Sequence, residues 1–170
     1  GVQRGGAGDV SADLPVLANT PILVVCSGAK IVLDLPATRE WLETYGITVL
    51  GWECDELPAF FSRTSGLAID RRVDTARDAA AVVKARDDLG LRNAVLLTVP
   101  VPEQAAVEPD ELNEVLAKAL ALAEESSVSG KEITPFLLSR MSEMTGEKTL
   151  AANIALLENN ARVAAEVSKK

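Results

Sequence analysis

Histidine is absent from this chain of 170 residues, and its absence excludes several kinds of site. A Ser-His or Cys-His pair cannot form within the chain, and a zinc site built on histidine is excluded for the same reason. Cysteine is scarce too, since the two cysteines, Cys26 and Cys54, do not have the spacing of a metal site. Because Cys26 belongs to an apolar segment, we expect it to be an inert thiol of the core.

Positive charge is also limited, because 17 Lys and Arg residues against 25 Asp and Glu residues give a net charge of -8. This balance argues against a broad nucleic-acid or anionic-membrane surface, which needs clustered basic residues. A small phosphorylated ligand stays possible, since it needs only a local positive group. No apolar run is long enough to span a membrane and no signal peptide is visible. We therefore expect a cytoplasmic protein with neither nucleic acid nor membrane as a partner.

The composition, with 48% hydrophobic and 25% charged residues, is typical of a globular protein, and the length suits a single domain over residues 1–170. Three continuous apolar runs predict strands covered on both faces. They are residues 21–26, 47–52 and 93–101. Helical patterns separate them, such as the one that Asp74 or Thr75 caps and Gly90 ends. This alternation predicts an α/β fold, here a three-layer α/β/α arrangement with a mixed, largely parallel sheet.

Lys30 follows the first apolar run and a turn of small residues, and we predict a helix from Ala29 until Pro36. At a helix start, unpaired backbone N–H groups and the positive end of the dipole disfavour the charged form of a lysine. A neutral amine can attack a carbonyl and form a Schiff base. The carboxyl end of a parallel strand is also where open α/β sheets bind ligands. The alternative is an ordinary solvated lysine.

Asp9, Ser11 and Asp13 form a second candidate site, because an extended backbone would place these alternate side chains on one side. Such a group suits a hard divalent cation, with waters completing its shell. Two carboxylates and a hydroxyl are too few ligands to fill an octahedral shell by themselves. The alternative is an ordinary turn or helix cap, where Asp and Ser are favoured.

Small polar loops provide weaker candidates for phosphate binding through backbone N–H groups and a positive side chain. They are Arg4 with Gly5, Gly6 and Gly8, residues 63–66, and residues 130–132. None of them matches a P-loop or a dinucleotide fingerprint, and a surface turn is the alternative for each. In the last predicted helix, Asn153 has apolar neighbours, which indicates either a buried polar contact in a site or a structural hydrogen bond.

Several stretches of the chain occur together, and in the same order, in one known family. They are DVSADL (9–14), VVCSGAK..LD (24–34), LET.G (42–46), LPAFF.R.SG (57–66), GKE.TPFLL.R (130–140) and L.ANIAL..NNA (150–161). On these motifs the chain resembles the pseudouridine-5'-phosphate glycosidases, also called the indigoidine synthase A-like family. The motifs extend along the whole chain and correspond to roughly the second half of a family enzyme.

The resemblance implies an α/β/α fold, a homotrimer and an enzyme that cleaves or forms the carbon–carbon bond between ribose 5-phosphate and a nucleobase. In enzyme classification this is a carbon–oxygen lyase of the pseudouridylate synthase type. By similarity, Lys30 is the nucleophile that forms an imine with the anomeric carbon of the opened sugar. Asp9 resembles the manganese ligand, with waters in the remaining positions. The stretch Ser11, Ala12 and Asp13 resembles the substrate-binding segment, and Asn153 matches an active-site asparagine.

The resemblance also implies that part of the enzyme lies outside this chain. It further shows where this sequence departs from the family's motifs. The family's first half supplies an acidic proton donor and a second lysine, and we expect it on the same or a separate chain. Gln3 stands where the family's opening motif has histidine, residues 99–102 read VPVP instead of NPIP, and Glu147 replaces a glycine. These departures keep a second activity open, the C-ribosylation of an aromatic polyketide acceptor. A non-catalytic subunit or fragment that binds sugar phosphate is a third possibility.

Overall fold

Four parallel strands form the sheet at the centre of the computed structural model, which describes residues 1–4, 8–128 and 130–170. They are β1 (Leu23–Cys26), β2 (Thr48–Trp52), β3 (Arg71–Val73) and β4 (Val95–Thr98). Their order is β1-β4-β2-β3, and all three pairs are parallel. Antiparallel pairing in the described residues consists of isolated bridges such as the one between Val2 and Val10. Each predicted apolar run contains one of the strands, so these three strand predictions are confirmed.

Six α-helices surround the sheet in the described part of the chain. They are α1 (Asp13–Asn19), α2 (Leu35–Thr44), α3 (Ala76–Asp88), α4 (Pro109–Glu125), α5 (Ile133–Met144) and α6 (Lys148–Val167). Two short 3₁₀ helices lie at Glu103–Ala105 and Gly130–Glu132. Thr75 caps α3 by accepting a hydrogen bond from the Asp78 N–H, as predicted. None of these described helices is long and apolar enough to cross a membrane.

The helices cover both faces of the sheet, because alternate residues of each strand point to opposite sides. On one face, Leu50 and Leu97 pack with Val163 of α6 and Ala79 of α3. On the other face, strand residues pack with helices α1 and α2, and the members of this cluster include Leu14, Leu42, Val49 and Leu96. The predicted three-layer α/β/α fold is therefore confirmed, with a sheet whose strand pairs are all parallel.

A third apolar cluster lies beside the sheet and holds the turn that follows β1. Ile31 and Val32 of that turn are buried with residues of α4 and α5, among them Leu112 and Leu137. Phe61, from the loop after β2, belongs to the same cluster. Burial of Ile31 and Val32 removes apolar area from water, which favours this position of the turn. The cluster thereby fixes the backbone directly after the residue at position 30.

The predicted helix from Ala29 until Pro36 is wrong. The segment before Leu35 is an irregular turn, and α2 begins only at Leu35. Asp34 sets this start because its Oδ1 accepts a hydrogen bond from the Ala37 N–H at 2.9 Å. Pro36 then lies in the first turn of α2, where its missing N–H has no cost. The tertiary packing of the turn and the Asp34 cap together overrule the helical pattern.

Candidate functional site

Lys30 lies just beyond the carboxyl end of β1 and is half-buried. It lines two cavities, of about 380 Å³ and about 350 Å³, and Phe60 lines both of them as well. The expected place of Lys30 at a helix start is wrong, because α2 begins five residues later in the chain. The helix-dipole argument therefore does not apply to Lys30. Its location at the end of a parallel strand agrees with the general position of ligand sites in open α/β sheets.

The first cavity beside Lys30 is polar and is formed by segments far apart in the sequence; we call it the polar cavity. Its walls include Gln3, Asp9, Ser11 and Asp13 from the opening segment, together with Gly28, Leu33 and Thr134. Three of the predicted site residues, Asp9, Ser11 and Asp13, therefore do lie together beside Lys30. The fourth residue of this stretch, Ala12, is the exposed N-cap residue of α1 and is not among the lining residues.

The acidic segment 9–13 is bent rather than extended. The Ser11 hydroxyl donates a hydrogen bond to Asp13 Oδ2 at 3.0 Å, and α1 begins at Asp13. The turn alternative therefore describes the backbone correctly, although the three side chains still face one cavity. Both Asp9 and Asp13 are exposed. Within the described residues, no group of three or more His, Cys, Asp or Glu side chains could hold a metal ion. A cation here would be held by few protein ligands and completed by water.

Lys30 also lines a second cavity, which we call the aromatic cavity. It is lined by Phe60 and Phe61 together with side chains of α5 and α6, among them Leu138, Ser142 and Leu150. The two phenyl rings pack edge to face with their centroids 5.0 Å apart. Asn153 of α6 also lines this cavity and is half-buried. The structure thus brings Asn153 and Lys30 to one cavity, whose lining residues do not include the acidic segment.

Ser27 was missed by the sequence analysis, although it holds the turn in place. Its side chain is 1% exposed, and its hydroxyl bonds to Asn160 Oδ1 of α6 at 3.1 Å. The Ser27 carbonyl accepts a hydrogen bond from the Phe60 N–H at 3.0 Å. Phe60 adopts a φ of 66°, a conformation that is uncommon outside glycine. The only signal in the sequence was a polar residue directly after an apolar strand.

Gly28 allows the loop after β2 to approach the turn very closely. A Cβ atom at position 28 would lie 1.9 Å from the carbonyl oxygen of Pro58, and the residue has a φ of 80°. No other residue type fits this contact without movement of the backbone. The approach brings the loop that carries Phe60, which lines both cavities, against the turn that carries Lys30.

Two arginines of the predicted phosphate-binding loops donate hydrogen bonds to backbone carbonyls in this structure. Arg4 donates a hydrogen bond to the Ile31 carbonyl at 2.9 Å, and Arg63 donates one to the Val101 carbonyl at 2.7 Å. Neither arginine is among the residues that line the two cavities. Gly5 and Gly6 lie outside the described residues, as does the side chain of Lys131. The bond from Arg4 ties the opening segment to the turn that carries Lys30.

Comparison with known proteins identifies the family. The complete chain, residues 1–170, matches the family described as indigoidine synthase A like protein. This chain belongs to that family. Among the relatives of this indigoidine synthase A-like chain is the pseudouridine-5'-phosphate glycosidase of Symbiobacterium thermophilum, 48% identical over 174 residues that cover 99% of this chain and 56% of the relative. The glycosidase of Myxococcus xanthus is 47% identical over 170 residues, with coverages of 99% and 56%.

Two solved structures also resemble the chain. The prealnumycin C-glycosynthase AlnA, solved in complex with ribulose 5-phosphate, superposes with a TM-score of 0.92 at 35% identity. This match covers 99% of this chain and 56% of AlnA. An indigoidine synthase A-like protein from Thermotoga maritima superposes with a TM-score of 0.88 at 38% identity, covering 98% of this chain and 55% of that protein. The resemblance seen in the motifs is thus confirmed, and the chain spans a little over half the length of these relatives.

Proposed function

We propose that this chain carries the Schiff-base lysine of an enzyme that cleaves or forms the bond between ribose 5-phosphate and a ring carbon of uracil. The observation that carries the proposal is the position of Lys30, half-buried between a polar and an aromatic cavity. A reaction that joins a sugar phosphate to a planar ring needs two such neighbouring spaces with the nucleophile between them. The relatives named pseudouridine-5'-phosphate glycosidase support the same choice.

The chemistry explains why an amine is needed. A C-glycosidic bond has no heteroatom leaving group, so acid-catalysed hydrolysis alone serves it poorly. In the direction of synthesis, the amine of Lys30 adds to carbon 1 of the opened sugar and water leaves, which forms an iminium ion. The nucleophilic ring carbon then attacks this carbon, its electron pair becomes the new bond, and the ring carbon afterwards loses its proton. Ring closure by a sugar hydroxyl releases the lysine. In the direction of cleavage, the lone pair of the lysine nitrogen forms the same iminium ion as the carbon–carbon bond breaks, and the base leaves with the bonding electrons and takes up a proton at its ring carbon.

In this proposal, the two cavities bind different parts of the substrate. The sugar phosphate occupies the polar cavity, where Ser11 and Asp13, on either side of Ala12, orient its hydroxyl groups. The planar ring occupies the aromatic cavity, where Phe60 offers a ring face and Asn153 offers an amide donor and acceptor. The phosphate supplies binding energy remote from the reacting carbon, which helps to position it. We assign the proton donor of the reaction to the first half of the family enzyme, which lies outside this chain.

A divalent cation, which we take to be manganese, fits this site only as a water-rich ion. Asp9 offers a carboxylate oxygen of the kind that hard cations prefer, and its exposure leaves room for water ligands. We assign Asp9 as the protein ligand. When bound, the ion would provide positive charge beside the sugar phosphate in an otherwise acidic segment.

A second candidate is C-ribosylation of an aromatic polyketide acceptor. It is favoured by the likeness to AlnA and by the departures of this sequence from the family motifs, among them Gln3 in place of the family histidine. A third candidate, of another class, is a subunit that binds sugar phosphate without catalysis. Our predictions of a homotrimer, a carbon–oxygen lyase and a cytoplasmic location accompany the first candidate and await measurement.

Trapping of the imine tests the proposal. The complete native assembly, supplied with Mn²⁺, is incubated with ribose 5-phosphate, reduced with borohydride and analysed by peptide mass spectrometry. We expect a reduced pentose-phosphate adduct on the peptide that contains Lys30. Addition of uracil or of an aromatic acceptor then distinguishes the first two candidates, because only the true acceptor yields a C-riboside.

Matched lysine variants provide the control. Lys30→Arg keeps the positive charge and should abolish the adduct, whereas Lys84→Arg, at an exposed side chain of α3, should leave it unchanged. A folded wild-type assembly that forms no adduct on Lys30 would contradict the enzyme mechanism. In that case, retained binding of ribose 5-phosphate would favour the non-catalytic candidate.

A further inference from the structure

Four side chains with a polar end line the aromatic cavity. They are Lys30, Ser142, Thr149 and Asn153. Lys30 is the proposed nucleophile, and Thr149 has a partner inside the protein, since its hydroxyl oxygen lies 3.4 Å from that of Thr145. The other two, Ser142 of α5 and Asn153 of α6, are half-buried. Asn153 is assigned to the planar ring of the substrate, which leaves Ser142 without a role.

The side chains of Ser142 and Asn153 are open to a ligand. In the described part of the chain, the Ser142 hydroxyl and the Asn153 amide form no hydrogen bond with the protein. Other polar side chains of the same helices do, such as Ser139, whose hydroxyl bonds to Glu143 Oε1 at 3.3 Å. A polar group that is left unpaired when a ligand fills the cavity costs free energy. A well-bound ligand must therefore offer complementary groups to both side chains.

The backbone of Ser142 is held by the turn that joins α5 to α6. Its carbonyl accepts hydrogen bonds from the Glu147 N–H at 2.9 Å and from the Thr145 hydroxyl at 3.3 Å. Thr145 is 4% exposed, and its hydroxyl also donates to the Met141 carbonyl at 2.8 Å. The backbone is thus fixed at the cavity wall, while the Ser142 hydroxyl can still rotate to donate or accept. A fixed support of this kind favours selective binding.

The remaining wall of the aromatic cavity is apolar. It consists of Phe60, Phe61, Leu138 and Leu150. Apart from Lys30, no charged side chain of the described residues lines this cavity. The matching part of a ligand is therefore an uncharged planar ring with hydrogen-bonding groups on its edge. In apolar surroundings such hydrogen bonds discriminate strongly, because a ring without them leaves protein groups unpaired.

We propose that Ser142 is a specificity residue, which together with Asn153 recognises the hydrogen-bonding edge of a pyrimidine ring. N–H and C=O groups alternate along this edge in uracil. The Asn153 amide can pair with one N–H and its neighbouring C=O, and the Ser142 hydroxyl with a further group of either kind. The inference rests on the proposed function, because it assigns the ring to the aromatic cavity. Ser142 itself lies between the family motifs at 130–140 and 150–161, so the resemblance did not indicate it.

Steady-state kinetics of C-riboside formation test the inference in the complete native assembly, with Mn²⁺, ribose 5-phosphate and uracil. Ser142→Ala should raise the KM for uracil about three- to tenfold, the usual effect of one lost neutral hydrogen bond. The KM for ribose 5-phosphate and kcat should change little, because the lost contact binds only the ring. An unchanged KM for uracil, or equal increases in both KM values, would overturn the inference. Equal increases would show that Ser142 supports the fold of the site in general.

Two further serine variants provide the controls. Ser139→Ala makes the same change on α5 at an exposed position that does not line the aromatic cavity, and it should alter neither KM. Ser142→Thr keeps the hydroxyl, and the cavity of about 350 Å³ leaves room for its methyl group. It should therefore restore most of the affinity for uracil. A KM for uracil as high as that of Ser142→Ala would contradict a role of the hydroxyl.

Borohydride trapping separates this inference from the proposed function. Ser142→Ala should still form the reduced adduct on Lys30 with ribose 5-phosphate alone, because no ring takes part in that step. A wild-type assembly that forms the adduct but does not use uracil would overturn the assignment of a pyrimidine, and the proposed imine would stand. A wild-type assembly without the adduct would contradict the proposed function and this inference together.

Discussion

Two segments of the candidate site are built differently. They are the acidic segment 9–13 and the turn 27–32, which contains Lys30. The acidic segment is largely exposed, and its hydrogen bond between Ser11 and Asp13 joins residues two positions apart. The turn is fixed by distant partners, since Ser27 bonds to Asn160, 133 positions away in the sequence. The comparison teaches that, in the proposed reaction, the contacts to metal and substrate and the placement of Lys30 depend on separate parts of the chain. Substitutions in the turn should lower both stability and activity, and those in the acidic segment should lower activity alone.

The largest effect on stability is expected for Gly28→Ala. Its new Cβ would lie 1.9 Å from a backbone oxygen at a φ of 80°, so the loop or the turn must move. Overpacking and backbone strain together should cost about 3 kcal/mol or more. Urea unfolding provides the measurement, and borohydride trapping should fall in parallel.

Gly66→Ala is the matched control for this change. Gly66 has a similar φ of 75°, but nothing lies within 4 Å of its Cβ position. There, only the left-handed backbone conformation should lower the free energy of unfolding, by about 1–2 kcal/mol. Equal losses of stability in the two variants would show that the close approach at Gly28 is unimportant.

A smaller effect is expected for Ser27→Ala, which removes a buried hydroxyl and leaves the Asn160 amide without this partner. The loss should be about 1–3 kcal/mol in the free energy of unfolding. A double-mutant cycle with Asn160→Ala isolates the bond, because the second substitution should add little once the first is present. Fully additive losses would indicate that the two side chains contribute independently.

Asp9→Asn should leave stability nearly unchanged, within about 0.5 kcal/mol, because the side chain is exposed. The proposed metal role predicts an activity loss of roughly tenfold or more, by analogy with other metal-site substitutions, that excess Mn²⁺ partly restores. Asp110→Asn, at an exposed position of α4, is the control and should change neither quantity. If Asp9→Asn unfolds the chain, the separation between the two segments is wrong.

The smallest effect concerns Cys54, which lies outside both segments. Burial raises the pKa of its thiol from 9.0 to about 11. The neutral thiol is therefore favoured in the folded state, and this group lowers stability as the pH rises from about 9 to about 11. In a Cys26→Ala variant, iodoacetamide alkylation should require a pH about two units higher than for the unfolded chain. An alkylation midpoint near pH 9 would contradict this expectation.

Much of the fold follows from local pattern in the sequence. The apolar runs predict β1, β2 and β4 because strands covered on both faces need continuous apolar residues. Thr75 and Gly90 mark the limits of α3, since a cap and a left-handed glycine act within one turn. The candidate residues around Lys30 also come from the sequence, through the motifs of the family, and three of them do line one cavity with it.

The turn around Lys30 could not be predicted in this way. Its pattern favoured a helix after Ala29, but the burial of Ile31 and Val32 against α4 and α5 decided otherwise. Those helices lie about 80 to 110 positions further along the chain, so no local window contains the competing interaction. The dipole argument for Lys30 failed for the same reason, because it assumed a helix that distant packing prevents.

The sequence by itself determined the layered α/β class, three strands, the family and the choice of Lys30 as the candidate nucleophile. These depend on residue type and short spacing. Tertiary structure alone decided the strand order β1-β4-β2-β3, the contact between Ser27 and Asn160, and the separation of Lys30's surroundings into two cavities. Each of these depends on which distant surfaces exclude water and satisfy their hydrogen bonds together. Such choices become fixed only when the whole chain packs.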